Sequence, residues 1–210
     1  MKIKIFSLGP LGTNCYVLSK EDQAIVIDPG GEANIVTGYL KDQNLTLNAI
    51  LLTHAHYDHI GGVDELRKQH EVEVCMHELE KDWLIEPELN GSHQFLSPHQ
   101  KIKTHHPENL IDEGHHQIGP FEFDIIHTPG HSPGSISFIF PDEHVLISGD
   151  VLFHHGVGRT DLLGGSLEEL ANSIINKIYK LPGAYTVYPG HGPSTTIETE
   201  KNTNPYTNQF

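Results

Sequence analysis

The chain has 210 residues, enough for one sizeable α/β domain or two small ones with a proper core. Its formal net charge of −15, with 13 Lys and Arg, argues against binding bare nucleic acid, because neutralising phosphates needs a basic surface. No stretch approaches the roughly 18 to 20 apolar residues of a membrane span, and Met1 to Phe6 lacks the features of a signal peptide. A cytoplasmic protein with no membrane and no nucleic-acid partner is expected.

Twenty glycines and 13 prolines indicate many short elements joined by turns. Residues 2 to 8, 15 to 18 and 24 to 27 read as strands of an antiparallel meander, separated by Gly9-Pro10-Leu11-Gly12 and Glu21-Asp22-Gln23. Asp28-Pro29-Gly30-Gly31 stops the third strand, and Ile35, Val36, Tyr39 and Leu40 sit at helical spacing over 32 to 42. Then come a buried strand at 48 to 52, a helix at 62 to 70, a strand at 72 to 76 and a helix near 77 to 85. This alternation predicts a largely covered sheet in a single domain.

Directly after the apolar run Ala49-Ile50-Leu51-Leu52 stands Thr53-His54-Ala55-His56-Tyr57-Asp58-His59-Ile60-Gly61-Gly62. Continued as extended chain, His54, His56 and Asp58 would project to one side, with His59 pointing elsewhere as a helix begins. A lone His-x-His in a chain with 17 histidines carries little weight. The full HxHxDH after a buried strand, with Gly-Gly beyond, reads as a metal site able to feed two adjacent ions.

From Glu86 to Gln117 periodicity fails, and the segment is expected to be a partial lid. Its histidines, at 93, 99, 105, 106, 115 and 116, are irregularly spaced and fit a solvated surface better than a ligand set. Alternating strands at 121 to 126 and 135 to 140 flank His127-Thr128-Pro129-Gly130-His131-Ser132-Pro133-Gly134, which puts His131 in a tight turn. Val145 to Asp150 is a buried strand ending on an acid. A helix runs from a capping box at Ser166 and Glu169 through Ile178, and a last strand at 185 to 188 leads into Tyr188-Pro189-Gly190-His191-Gly192. Cys15 and Cys75 form no CxxC pattern and read as buried thiols.

His54, His56, Asp58, His59, His131, Asp150 and His191 are thus five imidazoles and two carboxylates, all at strand-to-loop transitions, an inventory that suits two metals. HAHYDHIGG, HTPGHSPGS, SGD and YPGHG resemble the successive metal motifs of the metallo-β-lactamase superfamily across nearly the whole chain. The resemblance implies an αββα sandwich, α/β (α+β) in class. It also implies His54, His56 and His131 on one metal, Asp58, His59 and His191 on the other, and a bridging Asp150.

HTPGHSPGS and Gly158-Arg159-Thr160-Asp161-Leu162-Leu163-Gly164-Gly165 look most like the short glyoxalase II-like hydrolases, similar to hydroxyacylglutathione hydrolase but without its helical domain. The substrate implied is a small-molecule thioester. Leu163 stands where such a loop would carry Pro, and the residues after His191 hold one basic side chain, Lys201, so no glutathione-clamping surface is evident. A metal pair can generate hydroxide at neutral pH and polarise the carbonyl, and a thiolate leaving group needs little protonation. Asp58 and Asp150 are the carboxylates assigned to catalysis.

Ligands without thiolate leave Zn, first in expectation, beside Fe and Mn. Arg159 either binds a substrate carboxylate or anchors its loop through Asp161, the latter being favoured. The rival readings are an iron persulfide dioxygenase on His54, His131 and Asp150, and a non-catalytic metal-binding module. The motifs specify neither the thiol carrier and acyl group nor the oligomeric state.

Overall fold

Two continuous apolar segments, Tyr16 to Leu18 and Ala24 to Ile27, set the first layer of the structure, because chains so uniformly apolar must be covered on both faces. In the computed structural model, which describes residues 1–209, they lie in β2 (Thr13–Lys20) and β3 (Gln23–Ile27). With β1 (Lys2–Leu8) they form the expected antiparallel meander. After α1 (Ala33–Asp42), β4 (Thr46–Leu51) pairs parallel with β3. A one-turn helix α2 (Tyr57–Ile60) and α3 (Val63–His70) then lead to β5 (Glu73–Met76), parallel to β4.

The helix expected near 77 to 85 is a 3-10 helix, Glu78–Leu84. His77 Nδ1 accepts from Leu79 N at its start, and the winding buries Glu80, Trp83 and Leu84 while leaving Glu78, Leu79 and Asp82 exposed. The aperiodic segment holds a short helix α4 (Ser92–Phe95) and β6 (Asn109–Leu110), the last strand of a six-stranded sheet ordered β1 to β6.

A second six-stranded sheet runs β14-β13-β10-β9-β8-β7. Its members are β7 (Gly114–Ile118), β8 (Phe121–His127), β9 (Ile136–Phe140) and β10 (Val145–Gly149), then β13 (Thr186–Pro189) and β14 (Thr195–Thr196). A small hairpin, β11 (Leu152–Phe153) and β12 (Gly156–Val157), precedes α5 (Leu167–Asn176), and α6 (Ile197–Thr203) follows β14. Ser166 Oγ accepts from Glu169 N at 3.2 Å, the predicted cap. The helix stops at Asn176 rather than at Ile178, which falls in a 3-10 turn yet still packs in the core. β7 lies where a loop was expected, because its polar residues mark a solvated edge strand rather than a lack of structure.

The chain divides into two compact units, Met1–Ile111 with Gln117–Phe121, and Asp112–His116 with Glu122–Phe210. The first has a core of Val17, Val26, Val36, Ile50, Leu66 and Val74 among others, and the second one of Leu146, Leu170, Ile174 and Val187. Both cysteines are free and buried, and burial raises both thiols, Cys75 to about 11. No helix among the described residues is long and apolar enough to cross a membrane.

Candidate metal centre

In the first unit the HxHxDH segment is organised by a residue outside it. Asp28 N donates to Leu51 O at 3.1 Å, which sets the end of β3 beside the exit of β4. From there the Asp28 carboxylate accepts from Thr53 N (2.8 Å), Thr53 Oγ1 (2.6 Å) and His59 Nδ1 (3.0 Å). The Thr53 hydroxyl hydrogen is thereby committed to Asp28. Its oxygen, 3.0 Å from His54 Nδ1, must then accept from that nitrogen. Both His54 and His59 therefore carry the proton on Nδ1 and a lone pair on Nε2, the state in which an imidazole binds metal. Both Nε2 atoms are buried.

His54, Ala55 and His56 continue the chain beyond β4, with Ala55 N donating to Glu80 Oε2 at 2.6 Å and the His56 ring against Trp83. Asp58 departs from expectation: it and His59 sit on α2, so HxHxDH is not one extended run. This turn lies close against the end of the first strands: a side-chain carbon on Gly30 would fall 1.9 Å from Asp58 O, so only glycine lets the two backbones approach. Thr13 Oγ1, on β2, donates to Asp58 Oδ2 at 2.8 Å, and that same oxygen lies 3.5 Å from His59 Nε2.

In the second unit His131 occupies the predicted turn between β8 and β9. Its Nδ1 donates to Arg159 O at 2.9 Å, again leaving the lone pair on Nε2. The turn is nailed to α5: Ser166 N donates to Gly130 O (2.8 Å) and Ser173 Oγ to Pro129 O (2.7 Å). Parallel pairing of β10 with β13 aligns Gly149 with Pro189, which brings Asp150 and His191 to neighbouring strand ends. Asp150 Oδ2 is 3.6 Å from His131 Nε2 and 3.6 Å from His191 Nε2.

These separations fit a metal. At 3.5 and 3.6 Å the pairs are too long for hydrogen bonds, whereas ligands about 2.0 to 2.2 Å from a tetrahedral ion are roughly 3.3 to 3.6 Å apart. Nitrogen and carboxylate donors without thiolate suit Zn, Fe or Mn.

Arg159 grips Asp161 through two hydrogen bonds, 2.7 and 2.8 Å, which holds the Asp161 carboxyl down to about 2 and raises the guanidinium. The histidines of the aperiodic segment meet other partners. His93 pairs with Glu88, His105 with Asp64 and His115 with Asp124, at 3.0, 2.7 and 2.9 Å, while His116 stacks on Phe123. Asp28, Thr13 and Glu80 are the site residues that the motif reading missed. Asp28 alone left a trace, an acid ending the apolar run Ile25-Val26-Ile27 just as Asp150 ends its own.

The family model of the metallo-beta-lactamase superfamily matches residues 8–191. The chain belongs to this superfamily. Membership makes it a metal-dependent enzyme of the metallo-hydrolase kind, with the metallo-beta-lactamase fold. Among relatives, the probable metallo-hydrolase YqgX of Bacillus subtilis is 45% identical, over 100% of this chain and 99% of its own length. The hydroxyacylglutathione hydrolase GloC of Haemophilus influenzae is 35% identical, over 99% of each. Among solved superfamily structures, BLEG-1 B3 metallo-beta-lactamase superposes with a TM-score of 0.94 at 47% identity, covering 98% of this chain and 99% of that one. TTHA1623 in a di-iron-bound form gives 0.87 at 35%, covering 97% and 99%.

Proposed function

We propose that the protein is a dinuclear hydrolase of glutathione-type thioesters, of the kind that converts S-lactoylglutathione to lactate and thiol. The observation that carries this reading is the state of the donors: His54, His59 and His131 each have Nδ1 anchored to an oxygen, leaving Nε2 to coordinate. His54, His56 and His131 would hold one ion, Asp58, His59 and His191 the other, with Asp150 shared. Bound metals supply hydroxide at neutral pH and an electrophile for the carbonyl. Zinc stands first, with iron supported by the di-iron form of TTHA1623.

The chain's own groups then have defined tasks. Thr13 fixes Asp58 Oδ2, which orients the attacking water, and the Asp28–Thr53 pair keeps His54 and His59 in the ligating tautomer. A thiolate departs without a dedicated acid, since a thiol ionises near pH 8.5. The 35% identity to GloC along the full chain supports the substrate class. The acidic balance of −15 weighs against a nucleic-acid substrate.

β-Lactam hydrolysis is the second reading, supported by the 47% identity to BLEG-1. A mononuclear iron dioxygenase on His54, His131 and Asp150 would leave His56, Asp58, His59 and His191 without a task. The deciding experiment measures metal content of protein purified without chelator, alongside hydrolysis of S-lactoylglutathione and of a chromogenic cephalosporin. Two ions per chain with thioester turnover are expected. Saturation of these seven ligands at one ion, or turnover of the cephalosporin alone, sinks the reading.

A further inference from the structure

Among the described residues, one trio of metal-ligating side chains stands together outside the seven ligands, at the tip of the β11–β12 hairpin. His154 and His155 form its two-residue connection, between the paired positions Phe153 and Gly156. Their rings lie side by side, centroids 4.0 Å apart, and both residues are exposed. His155 has φ 55, a left-handed conformation that costs a residue with a side chain roughly 1 to 2 kcal/mol. Hairpin turns normally place Asn or Gly in that conformation.

Beneath the turn is Glu200 of α6, fully buried. Its Oε2 accepts from His155 N (2.9 Å) and Asn204 Nδ2 (2.8 Å), and its Oε1 from Thr195 Oγ1 (2.5 Å). These donors are neutral, and among the described residues no Lys or Arg pairs with this carboxylate. Buried charges are ordinarily paired or bound to a metal. His155 is also tied to α6 through Thr203 Oγ1, 3.3 Å from Nδ1. One ligand atom from each of His154, His155 and Glu200 lies within 4.8 Å of the others.

We propose that His154, His155 and Glu200 form a third, peripheral site for a divalent transition metal, zinc or a similar borderline ion, distinct from the dinuclear centre. Two imidazoles and a carboxylate are a ligand set that zinc accepts with a water in the fourth position. The carboxylate contributes the negative charge, already oriented by its hydrogen bonds, and only exposed rings have to adjust. The local strain at His155 has a use in this arrangement, since it holds two consecutive side chains at one place on the surface.

The test compares wild type with the double variant His154→Ala, His155→Gly, in which glycine suits the left-handed position and protects the turn. Both proteins, carrying their catalytic metals, are dialysed against micromolar ZnCl₂ and analysed for zinc. Wild type should hold one equivalent more, and should gain a zinc-dependent rise in Tm that the variant lacks. Thioester hydrolysis should be equal in the two. Equal zinc content overturns the proposal, and a loss of hydrolysis with that equivalent overturns its separateness from the catalytic centre. The difference between the two proteins is read whatever the dinuclear centre holds, so the outcome is distinguishable from a failure of the thioesterase assignment.

Discussion

Asp28 Oδ2 accepts a hydrogen bond from His59 Nδ1 at 3.0 Å, across 31 positions of chain. The same carboxylate holds Thr53, and through it His54, so one buried acid sets the protonation of two ligands. Asp28→Asn tolerates the backbone at φ 51, because Asn shares the Asp preference for left-handed turns. The amide replaces one accepting oxygen with a donor, which faces either Thr53 or His59. Loss of such a supporting partner typically weakens metal binding by about 10- to 100-fold. Competition against a chromophoric chelator measures it, and an unchanged affinity would remove Asp28 from this role.

Asp150→Asn is expected to abolish thioester hydrolysis while leaving the fold intact. The backbone is fixed by β10, whose residues Val145 to Gly149 are all buried, so only the side chain changes. An amide cannot place negative charge between two cations, and their repulsion is then less screened. Removal of one electrostatic group costs about 10² to 10³ in rate, and weakened metal binding adds to it. Near wild-type activity with full metal content would end the assignment of Asp150 as the bridge.

Replacing His105, His106, His115 and His116 together should leave the metal content unchanged. His105 and His115 face Asp64 and Asp124, His116 stacks on Phe123, and none of the four belongs to a cluster of metal-ligating groups among the described residues. Exposed pairs of this kind contribute about 0 to 1 kcal/mol each, so Tm should move little. Elemental analysis that found a lost equivalent would make the segment part of the metal-binding machinery.

Two glycine substitutions should move stability in opposite directions. A side-chain carbon on Gly158 would lie 1.8 Å from Asp150 O and 3.2 Å from the His131 side chain. Forced overpacking costs about 1 to 3 kcal/mol or more, equivalent to a Tm loss of at least about 2 to 4 °C in a chain of this size. Gly38, inside α1, has nothing within 4 Å of that position. Gly38→Ala should therefore stabilise by about 0.4 to 1 kcal/mol, chiefly by restricting the unfolded chain. Calorimetry of the two variants checks the signs, and a stable Gly158→Ala would show that Asp150 and His131 do not need that close approach.

Much of the architecture was legible locally. The apolar runs of β4 and β10, the alternation of β9 and the turn residues that bound β2 and β3 marked these strands, and Ser166 with Glu169 announced the start of α5. Strand ends carrying His54, Asp150 and His191 could be read as ligand positions, because the period of a strand and the residue that follows it are properties of a few neighbouring residues. Spacing and residue type therefore determined the ligand candidates and a largely covered sheet, while the αββα sandwich followed from the resemblance of the four motifs to a known superfamily.

Only the tertiary structure decided how those ligands are held. Asp28 reaches His59 over 31 positions, Thr13 reaches Asp58 over 45, and Arg159 O reaches His131 over 28. Asp58 lies on a helical turn rather than an extended strand, and Gly30, far back in the chain, lies against its carbonyl. Local periodicity carries no trace of such contacts. Hydrogen-bond partners and close backbone approaches depend on which strands become neighbours, and that pairing is settled by burial of the whole core rather than by any single segment.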